Sequence, residues 1–350
     1  MKQHLIYKFT ADTKMKNTMK KTLFYNLLIA LAALSSCQKD LDLFVPDLTG
    51  GYDSTWHNTL SNTMPVAALK TALLLPTYKD SFDLNSSSAS IMTGSGLQCE
   101  FDPGSIVTSA NIPVTGRVYI ETQLLKTKGN MIRMGTPTIS NGRLLVSGGE
   151  LFIRLTQNGN ELQIQQQTQQ VAGAHYNIKY NDPQPSSLMK IFYGDATDPN
   201  AFNWLPNVDT SNFLAISNQP SGSYLIHTNQ LNWINCDYFY DTAGIPQTNV
   251  SVVLPANYTN ANSIAFIAFN DIHSVVGMYG NATTKKFSSG RLPANKEITV
   301  VVISKQGNDY FLGHTQAFTT GSSGTVNSQQ VTITPVISSL ANINIYLDSL

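Results

Sequence analysis

The sequence predicts an all-β protein in which two β-sandwich domains follow an N-terminal signal segment and a flexible tether. Three observations support this prediction. After residue 88 most apolar residues alternate with polar ones at period 2. Clusters of Asn, Gly, Pro and Ser separate these runs. No long segment shows the 3.6-residue period of an amphipathic helix, so short antiparallel strands in sandwiches are the expected architecture.

The N-terminal segment has the layout of a secretory signal. Lys20 and Lys21 form a basic region, and residues 23–34 form an apolar region that only Asn26 interrupts. This run is too short to cross a bilayer, which takes about 20 apolar residues. We therefore expect residues 1–36 to be a cleaved signal peptide.

The segment Leu34-Ser35-Ser36-Cys37 resembles the lipobox of bacterial lipoproteins. The resemblance implies that the Cys37 thiol receives a diacylglyceryl group, that cleavage occurs just before it, and that its new amine is acylated by a fatty acid such as palmitate. Each buried acyl CH₂ contributes roughly 0.8 kcal/mol, so two or three chains hold a protein firmly in a membrane. An ordinary cleavable signal with an incidental cysteine is the alternative.

Residues 37–42, Cys-Gln-Lys-Asp-Leu-Asp, resemble the Lys/acidic export signal of Bacteroidota surface lipoproteins. In that group the signal sends the protein to the outer leaflet of the outer membrane. The resemblance implies a protein that is lipid-anchored in the outer membrane and exposed at the cell surface.

Charge argues against a nucleic-acid partner. The chain has 22 basic and 22 acidic residues, and removing the six lysines and one aspartate of residues 1–36 leaves a net charge of −5. Nucleic-acid binding needs a clustered basic surface, and no block of Lys or Arg follows Cys37. The expected partners are the membrane, through the lipid on Cys37, and a glycan or a protein at the cell surface.

The predicted organisation has four parts after the signal peptide. Residues 37–87 form the lipidated tether and lead-in, 88–182 the first sandwich, 183–222 a linker rich in Asp, Asn, Pro and Ser, and 223–350 the second sandwich. The lead-in contains one expected short helix, over residues 65–75, whose apolar face is Val66, Leu69, Leu73 and Leu74.

Strands are expected wherever alternation or short apolar runs occur. In the first sandwich they are 96–101, 117–125, 150–155 and 161–166, with a tight turn at Asn158-Gly159-Asn160. In the second they are 224–228, 231–240, 250–254, 264–269, 298–304, 310–318, 329–335 and 343–347. Residues 264–269 and 298–303 are apolar on both faces, which predicts central strands covered on each side.

Several short motifs suggest a family resemblance. Val114-Thr115-Gly116-Arg117-Val118, Lys128-Gly129-Asn130-Met131, Pro137-Thr138 and the run from Leu144 to Glu150 are similar to a module of uncharacterised Bacteroidota surface lipoproteins. The module also resembles β-sandwich modules of ankyrins and netrin receptors. Trp233-Ile234-Asn235-Cys236-Asp237 is similar to a companion motif in the same lipoproteins. The resemblance implies Ig-like sandwiches and brings no catalytic residue.

Enzyme motifs are missing from the sequence, and no cofactor is expected. Asp271-Ile272-His273-Ser274 is the nearest approach to an acid/base cluster, but on a strand Ser274 faces away from Asp271 and His273. The other histidines after Cys37, at 57, 175, 227 and 314, lack ligand spacing. The loop 194–200 offers Asp195, Asp198 and Asn200 to a Ca²⁺ ion, although Asx turns explain it equally well.

Aromatic residues give the only indication of ligand binding. Trp204, with Phe202 beside it, and Trp233, Tyr238 and Tyr240 are a candidate platform for sugars or peptide side chains, with core packing as the alternative. The Gln-rich run 163–170 suggests a solvated edge strand. Ser54 in Asp-Ser-Thr and Thr242 in Asp-Thr-Ala resemble Bacteroidota O-glycosylation sites.

Cys99 and Cys236 are expected to be small buried core residues in different domains, without a disulfide between them. These observations together favour a non-enzymatic adhesion, binding or scaffolding module of unknown ligand. The alternative is a glycan-binding accessory protein, or a glycan hydrolase without a recognised motif.

Overall fold

Strands dominate the computed structural model, which describes residues 54–85, 87–167, 172–198, 201–218, 221–321 and 329–350. The predicted all-β class is confirmed. The signal peptide, Cys37 and the first part of the tether lie outside the described residues. The compact unit that these elements build extends over Tyr52–Leu350.

Three helices are present in the described ranges: α1 (Pro65–Leu73), α2 (Lys128–Met134) and α3 (Leu340–Asp348). The strands of the first half are β1 (Tyr78–Leu84), β2 (Ala89–Met92), β3 (Gln98–Phe101), β4 (Ile106–Thr108), β5 (Gly116–Leu125), β6 (Ile139–Ser140), β7 (Arg143–Gln157), β8 (Asn160–Ile164), β9 (Tyr176–Asn181), β10 (Lys190–Asp195), β11 (Asn203–Pro206), β12 (Phe213–Asn218), β13 (Ser221–Thr228) and β14 (Asn232–Phe239). Those of the second half are β15 (Gln247–Thr248), β16 (Val250–Val253), β17 (Ser263–Phe269), β18 (Val275–Asn281), β19 (Lys286–Ser288), β20 (Leu292–Pro293), β21 (Glu297–Gln306), β22 (Asp309–His314), β23 (Phe318–Thr319), β24 (Gln329–Thr332) and β25 (Val336–Ser338).

The first half is a sandwich of two antiparallel sheets. One sheet has the order β1-β5-β7-β14-β10-β11, and the other has the order β12-β13-β9-β3-β2. Alternating apolar residues of both sheets meet in one core, as the period-2 pattern predicts. That core includes Val118, Ile120, Leu151, Ile153, Ile178, Tyr224 and Ile234.

The second half is one long sheet with the order β24-β16-β19-β18-β17-β21-β22-β25. β17 and β21 pair at its centre, and both of their faces are buried as predicted. On one face Val250 of β16 and Phe311 of β22 belong to a single core cluster although four strands separate them, so the sheet curls around this core. On the other face α1, α2 and α3 cover Phe266, Val301 and Ile303.

The predicted linker, residues 183–222, contains β10, β11 and β12. β13 and β14, expected to open the second sandwich, instead pair with β9 and β7 of the first. The first core therefore extends through β14, and the second begins with β16. Turn-forming residues concealed the short apolar runs Ile191–Tyr193 and Phe213–Ile216, which is why the composition of this region suggested a linker.

The expected last strand, residues 343–347, is part of helix α3. The Ser339 hydroxyl accepts a hydrogen bond from the Asn342 amide and caps the helix. Ile343 and Leu347, one turn apart, are buried, whereas Ile345 between them is 68% exposed. All three apolar residues fit period 2, whereas only Ile343 and Leu347 share a helical face, so alternation alone gave the wrong element.

Two further local predictions are confirmed. α1 buries Val66, Leu69 and Leu73 as expected, although Leu74 lies beyond its end and is exposed. Asn158 and Gly159 both have positive φ, as the tight hairpin turn between β7 and β8 requires. Within the described ranges, no helix has the length and apolar character needed to span a membrane.

Candidate functional site

Two of the motifs quoted above, residues 144–150 and 233–237, lie side by side in the structure. β7 pairs with β14 so that Glu150 lies opposite Asn235 and Ser147 lies opposite Asp237. Between these pairs β7 has one extra residue at Gly148-Gly149, and Gly149 adopts φ +136°, which favours glycine. The bulge places Ser147, Glu150, Asn235 and Asp237 in one buried polar cluster.

Glu150 and Asp237 are fully buried in this cluster. Glu150 Oε2 accepts a hydrogen bond from the Thr136 hydroxyl, and Asp237 Oδ2 accepts one from Asn235 Nδ2 at 2.7 Å. Burial raises the pKa of the Glu150 carboxyl well above its usual range; the Thr136 hydrogen bond opposes this shift and the nearby Asp237 charge adds to it. Burial likewise raises the pKa of the Asp237 carboxyl. For both side chains, burial therefore favours the neutral form of the carboxyl group.

The same part of β7 joins the two halves of the molecule. Ser147 N donates to His273 O at 3.0 Å, and His273 Nδ1 bonds Ser147 O at 2.8 Å. Ser274 Oγ donates to Leu145 O at 2.6 Å, while Asp271 forms an ion pair with Lys296. Asp271, His273 and Ser274 lie in the loop between β17 and β18, and their side chains have separate partners; those of His273 and Ser274 belong to β7 of the first half.

A cleft beside α1 is a better candidate for ligand binding than the buried polar cluster, because solvent reaches the cleft. The lead-in segment forms one rim: Asn260 bonds the backbone of His57 through its oxygen at 3.0 Å and its nitrogen at 2.6 Å. Trp56 packs on Phe287 with ring centroids 5.2 Å apart. Gly280 permits this approach, since a Cβ there would lie 2.5 Å from Asn260 Cβ.

The cleft has a volume of about 270 Å³. Its walls combine the rings of Phe202, Phe266 and Tyr279 with the amide of Asn58 and the ammonium of Lys70. Two further clefts, of about 210 and 740 Å³, also include Lys70 in their linings, so α1 is flanked by grooves along its length. Convergent polar groups on an aromatic wall are typical of ligand-binding sites.

The structure does not bring the four predicted platform residues together. Trp204 is fully buried, and Trp233, Tyr238 and Tyr240 are half-buried. Strand alternation in β14 turns Trp233 toward the aromatic cluster of Trp204 and Phe192, and Tyr238 toward the first core. Tyr240 packs against the second core.

Phe202 links the predicted aromatic residues to the cleft. Its ring packs edge-on against Trp204 at 4.9 Å and against Trp233 at 6.1 Å, and it also lines the cleft. The two tryptophans therefore support the wall from behind. The sequence analysis named Phe202 beside the candidate platform residues. It did not identify Lys70 or Tyr279 as part of the site, because both are far from Phe202 in the chain.

Histidines form a surface feature that the sequence did not reveal. The rings of Phe213, His227 and His175 stack at 4.8 and 4.6 Å across β12, β13 and the start of β9. This spacing equals the distance between strands, so the rings cover one another's faces and present their edges to solvent. Within the described ranges no group of three His, Cys, Asp or Glu side chains could hold a metal ion.

The candidate calcium loop is organised by an Asx turn at Asp195. Its carboxylate accepts hydrogen bonds from the Thr197 hydroxyl at 2.7 Å and the Thr197 amide at 3.0 Å, which lower the Asp195 pKa. Asn200 lies outside the described residues.

The two candidate glycosylation residues, Ser54 and Thr242, are exposed, and Thr242 lies in a turn where Asp241 accepts from Ala243 N at 2.9 Å.

Cys99 and Cys236 are buried free thiols, as predicted, but both lie in the first core. The expectation of different domains was wrong because β14 belongs to the first sandwich. Burial raises the pKa of the Cys99 thiol to about 12 and raises that of Cys236 further.

No protein-family model matches this chain, and no curated protein matches it. The assignment of the fold and of the candidate cleft therefore depends on the geometry described above. The resemblance to Bacteroidota surface lipoproteins stays an expectation.

Proposed function

We propose that this protein is a non-enzymatic binding module, anchored in the outer membrane by lipid on Cys37 and displayed at the cell surface. The observation that carries the binding proposal is the cleft beside α1, in which aromatic rings, an amide and an ammonium group converge. The lipobox and the following Lys/acidic signal support the anchor and the outward display.

The site geometry favours binding over hydrolysis. Glycan hydrolysis uses two carboxyl groups that flank the substrate in an open cleft. Glu150 and Asp237 are fully inaccessible to solvent, and no carboxylate is found among the described residues that line the 270 Å³ cleft. A glycan-binding accessory protein is the second candidate, and the aromatic and amide lining of the cleft favours it.

The anchor is tested by replacing Cys37 with Ala in the producing cell. We expect the wild-type chain to partition into detergent and to be digested when intact cells are treated with protease. The C37A chain should lose its lipid and its membrane fraction, while Cys99→Ser, which changes a buried core thiol, should keep both. A wild-type chain that stays uncleaved and unlipidated would contradict the proposal.

Binding is tested by glycan-array and pull-down screening of the chain from Gln38 onward, which retains the compact unit Tyr52–Leu350. Phe202→Ala removes one wall of the cleft, and Phe213→Ala removes a 47%-exposed ring from the distant β12 edge as a matched control. We expect captured ligands to be lost with F202A and retained with F213A. Equal binding by both variants would place the ligand elsewhere.

A further inference from the structure

The cleft beside α1 also indicates what kind of ligand it takes, and this step rests on the proposed binding function. Its volume of about 270 Å³ is just below the range of about 300–1,000 Å³ that holds drug-sized ligands. A single ring with its substituents fits such a space. The adjoining clefts of about 210 and 740 Å³ leave room along α1 for the rest of a longer chain.

The walls of the cleft suit a ring that has an apolar face. Phe202 and Tyr279 line it together with Phe266 and Met278, and Tyr279 is 50% exposed. Gly277 on β18 adds no side chain beside Phe266, and a Cβ there would lie 3.9 Å from the Phe266 ring. An aromatic wall over an open floor accepts the flat C–H face of a pyranose ring, as aromatic side chains pack with amphipathic partners.

Most polar atoms around the cleft are already engaged. The Asn260 amide bonds the His57 backbone, and Ser263 Oγ bonds Asn262 Oδ1 at 2.8 Å and Ser304 Oγ at 2.7 Å. The exposed side chains of Asn58, Lys70 and Tyr279 carry polar groups of the lining that face solvent. They offer hydrogen bonds to hydroxyl groups and one positive charge.

The charge of the cleft is one-sided. Among the described residues of its lining, Lys70 is the charged one. Burial lowers the pKa of the Lys70 ammonium, and the charge of Asp198, which lines the adjoining 210 Å³ cleft, opposes this shift. A carboxylate on a ring in the main cleft would add a second anionic partner for this ammonium. Hydrogen bonds between an ammonium and a carboxylate are about twice as strong as neutral ones.

We infer that the cleft binds a single sugar ring that carries a carboxylate, as in a hexuronic acid residue of a surface glycan. The C–H face of the ring packs on Phe202 and Tyr279, its hydroxyls reach Asn58, and its carboxylate pairs with Lys70. A neutral sugar lacks the last contact. An acidic side chain of a peptide is too small to cover the aromatic wall.

The test titrates the chain from Gln38 onward with three probes, using calorimetry and two-dimensional NMR. The probes are methyl β-D-glucuronide, methyl β-D-glucoside and cyclohexanecarboxylate. We expect the glucuronide to bind with a Kd on the order of 1 mM, and the other two about 10-fold more weakly, since each lacks one class of contact. Shifted signals should come from residues around Tyr279 and Gly280.

Variants separate charge recognition from damage to the fold. Lys70→Gln should make the glucuronide and the glucoside bind equally, Lys70→Arg should keep the preference, and Lys190→Gln, an exposed lysine on β10, should behave as the wild type. Melting temperatures of all variants should agree within a few degrees.

Three results would overturn the inference: no glucuronide binding at tens of millimolar, a preference that survives in K70Q, or cyclohexanecarboxylate binding as tightly as the glucuronide. Each of these leaves the binding module itself intact if the screened ligands still depend on Phe202. Loss of that dependence would instead remove the proposed site.

Discussion

At the scale of single residues, the unusual groups are two carboxyl side chains without a cationic partner. Glu150 and Asp237 are fully buried, and their hydrogen-bond partners are the Thr136 hydroxyl and the Asn235 amide. A buried charge of this kind costs free energy, and the group stays neutral instead. The Glu150 bond joins β7 to the segment after α2, and Asn235, which donates to Asp237, accepts from the Ser147 hydroxyl at 3.2 Å and so joins β14 to β7.

This burial makes stability depend on pH. The folded-state pKa of Glu150 is raised above the unfolded value of about 4, so its contribution to stability is complete below pH 4 and is lost as the pH rises toward the folded pKa. Glu150→Gln cannot ionise and keeps an oxygen for Thr136. We expect E150Q to be more stable than the wild type at pH 8, by about 1–3 kcal/mol, and to differ little from it at pH 4.

Urea unfolding at pH 4, 6 and 8 measures this effect. Asp83→Asn serves as the control, because Asp83 is exposed and pairs with Arg117 at the surface. The D83N curve should follow the wild type at each pH. An E150Q protein that is less stable than the wild type at pH 8 would show that ionised Glu150 stabilises the fold.

The two core thiols lead to a second residue-scale prediction. Both are buried, and burial raises the pKa of Cys99 to about 12, so little reactive thiolate forms near neutral pH. We expect the native chain from Gln38 onward to react with a thiol-specific reagent at least 100-fold more slowly than the unfolded chain, in which two thiols should be titrated. Fewer than two thiols after unfolding would indicate a disulfide.

At the scale of elements, glycine permits α2 and α3 to lie close together. A Cβ built at Gly129 on α2 would lie 1.9 Å from the Leu347 carbonyl oxygen of α3. The neighbouring Arg133 reaches Asp348 at 2.8 Å, so α3 is fastened to α2 at its C-terminal turn. This contact holds α3 as part of the helical cover on the second sheet.

Substitution of Gly129 therefore tests the helical cover. Gly129→Ala should destabilise the protein by about 1–3 kcal/mol, because the backbone of α3 must move. Gly290→Ala is the matched control, since a Cβ there meets nothing within 4 Å. The midpoint of urea unfolding should fall for G129A alone. Equal midpoints for both variants would mean that α3 adapts without cost.

At the scale of the whole molecule, the two cores are mechanically joined. Leu144 of β7 belongs to the second core, and Thr138 N donates to Val275 O at 2.8 Å. Together with the bonds of Ser147 to His273, these contacts make β7 a shared element. Neither half can unfold without exposing part of the other.

We therefore expect one unfolding transition. The chain has three tryptophans: Trp56 packs on the second core, and Trp204 and Trp233 lie on the first sandwich. Trp56→Phe leaves reporters only in the first half, and the double variant Trp204→Phe, Trp233→Phe leaves one in the second. For each variant, the midpoint of urea unfolding measured by tryptophan fluorescence should coincide with the midpoint measured by far-UV circular dichroism. Fluorescence and far-UV midpoints that differ within a variant would mean that the halves unfold independently.

Local pattern accounts for most of the elements that the sequence predicted. Alternation placed β3, β5 and β13 within a few residues, and the Asn158-Gly159 pair required positive φ at both positions. Each of these signals depends on neighbours in the chain, so no tertiary information was needed. The pattern failed at residues 343–347, where three alternating apolar residues fit a strand but the segment is helical.

By itself the sequence determined the all-β class and the central strands β17 and β21, because these follow from the local hydrophobic period. The anchor at Cys37 is predicted from a contiguous motif and stays a proposal. Only the tertiary structure decided that β14 joins the first sandwich, that Glu150 faces Asn235, and that one cleft unites Lys70, Phe202 and Tyr279. Many distant segments have a similar strand propensity, so local sequence does not determine which two strands pair. The pairing depends on how whole sheets pack against each other.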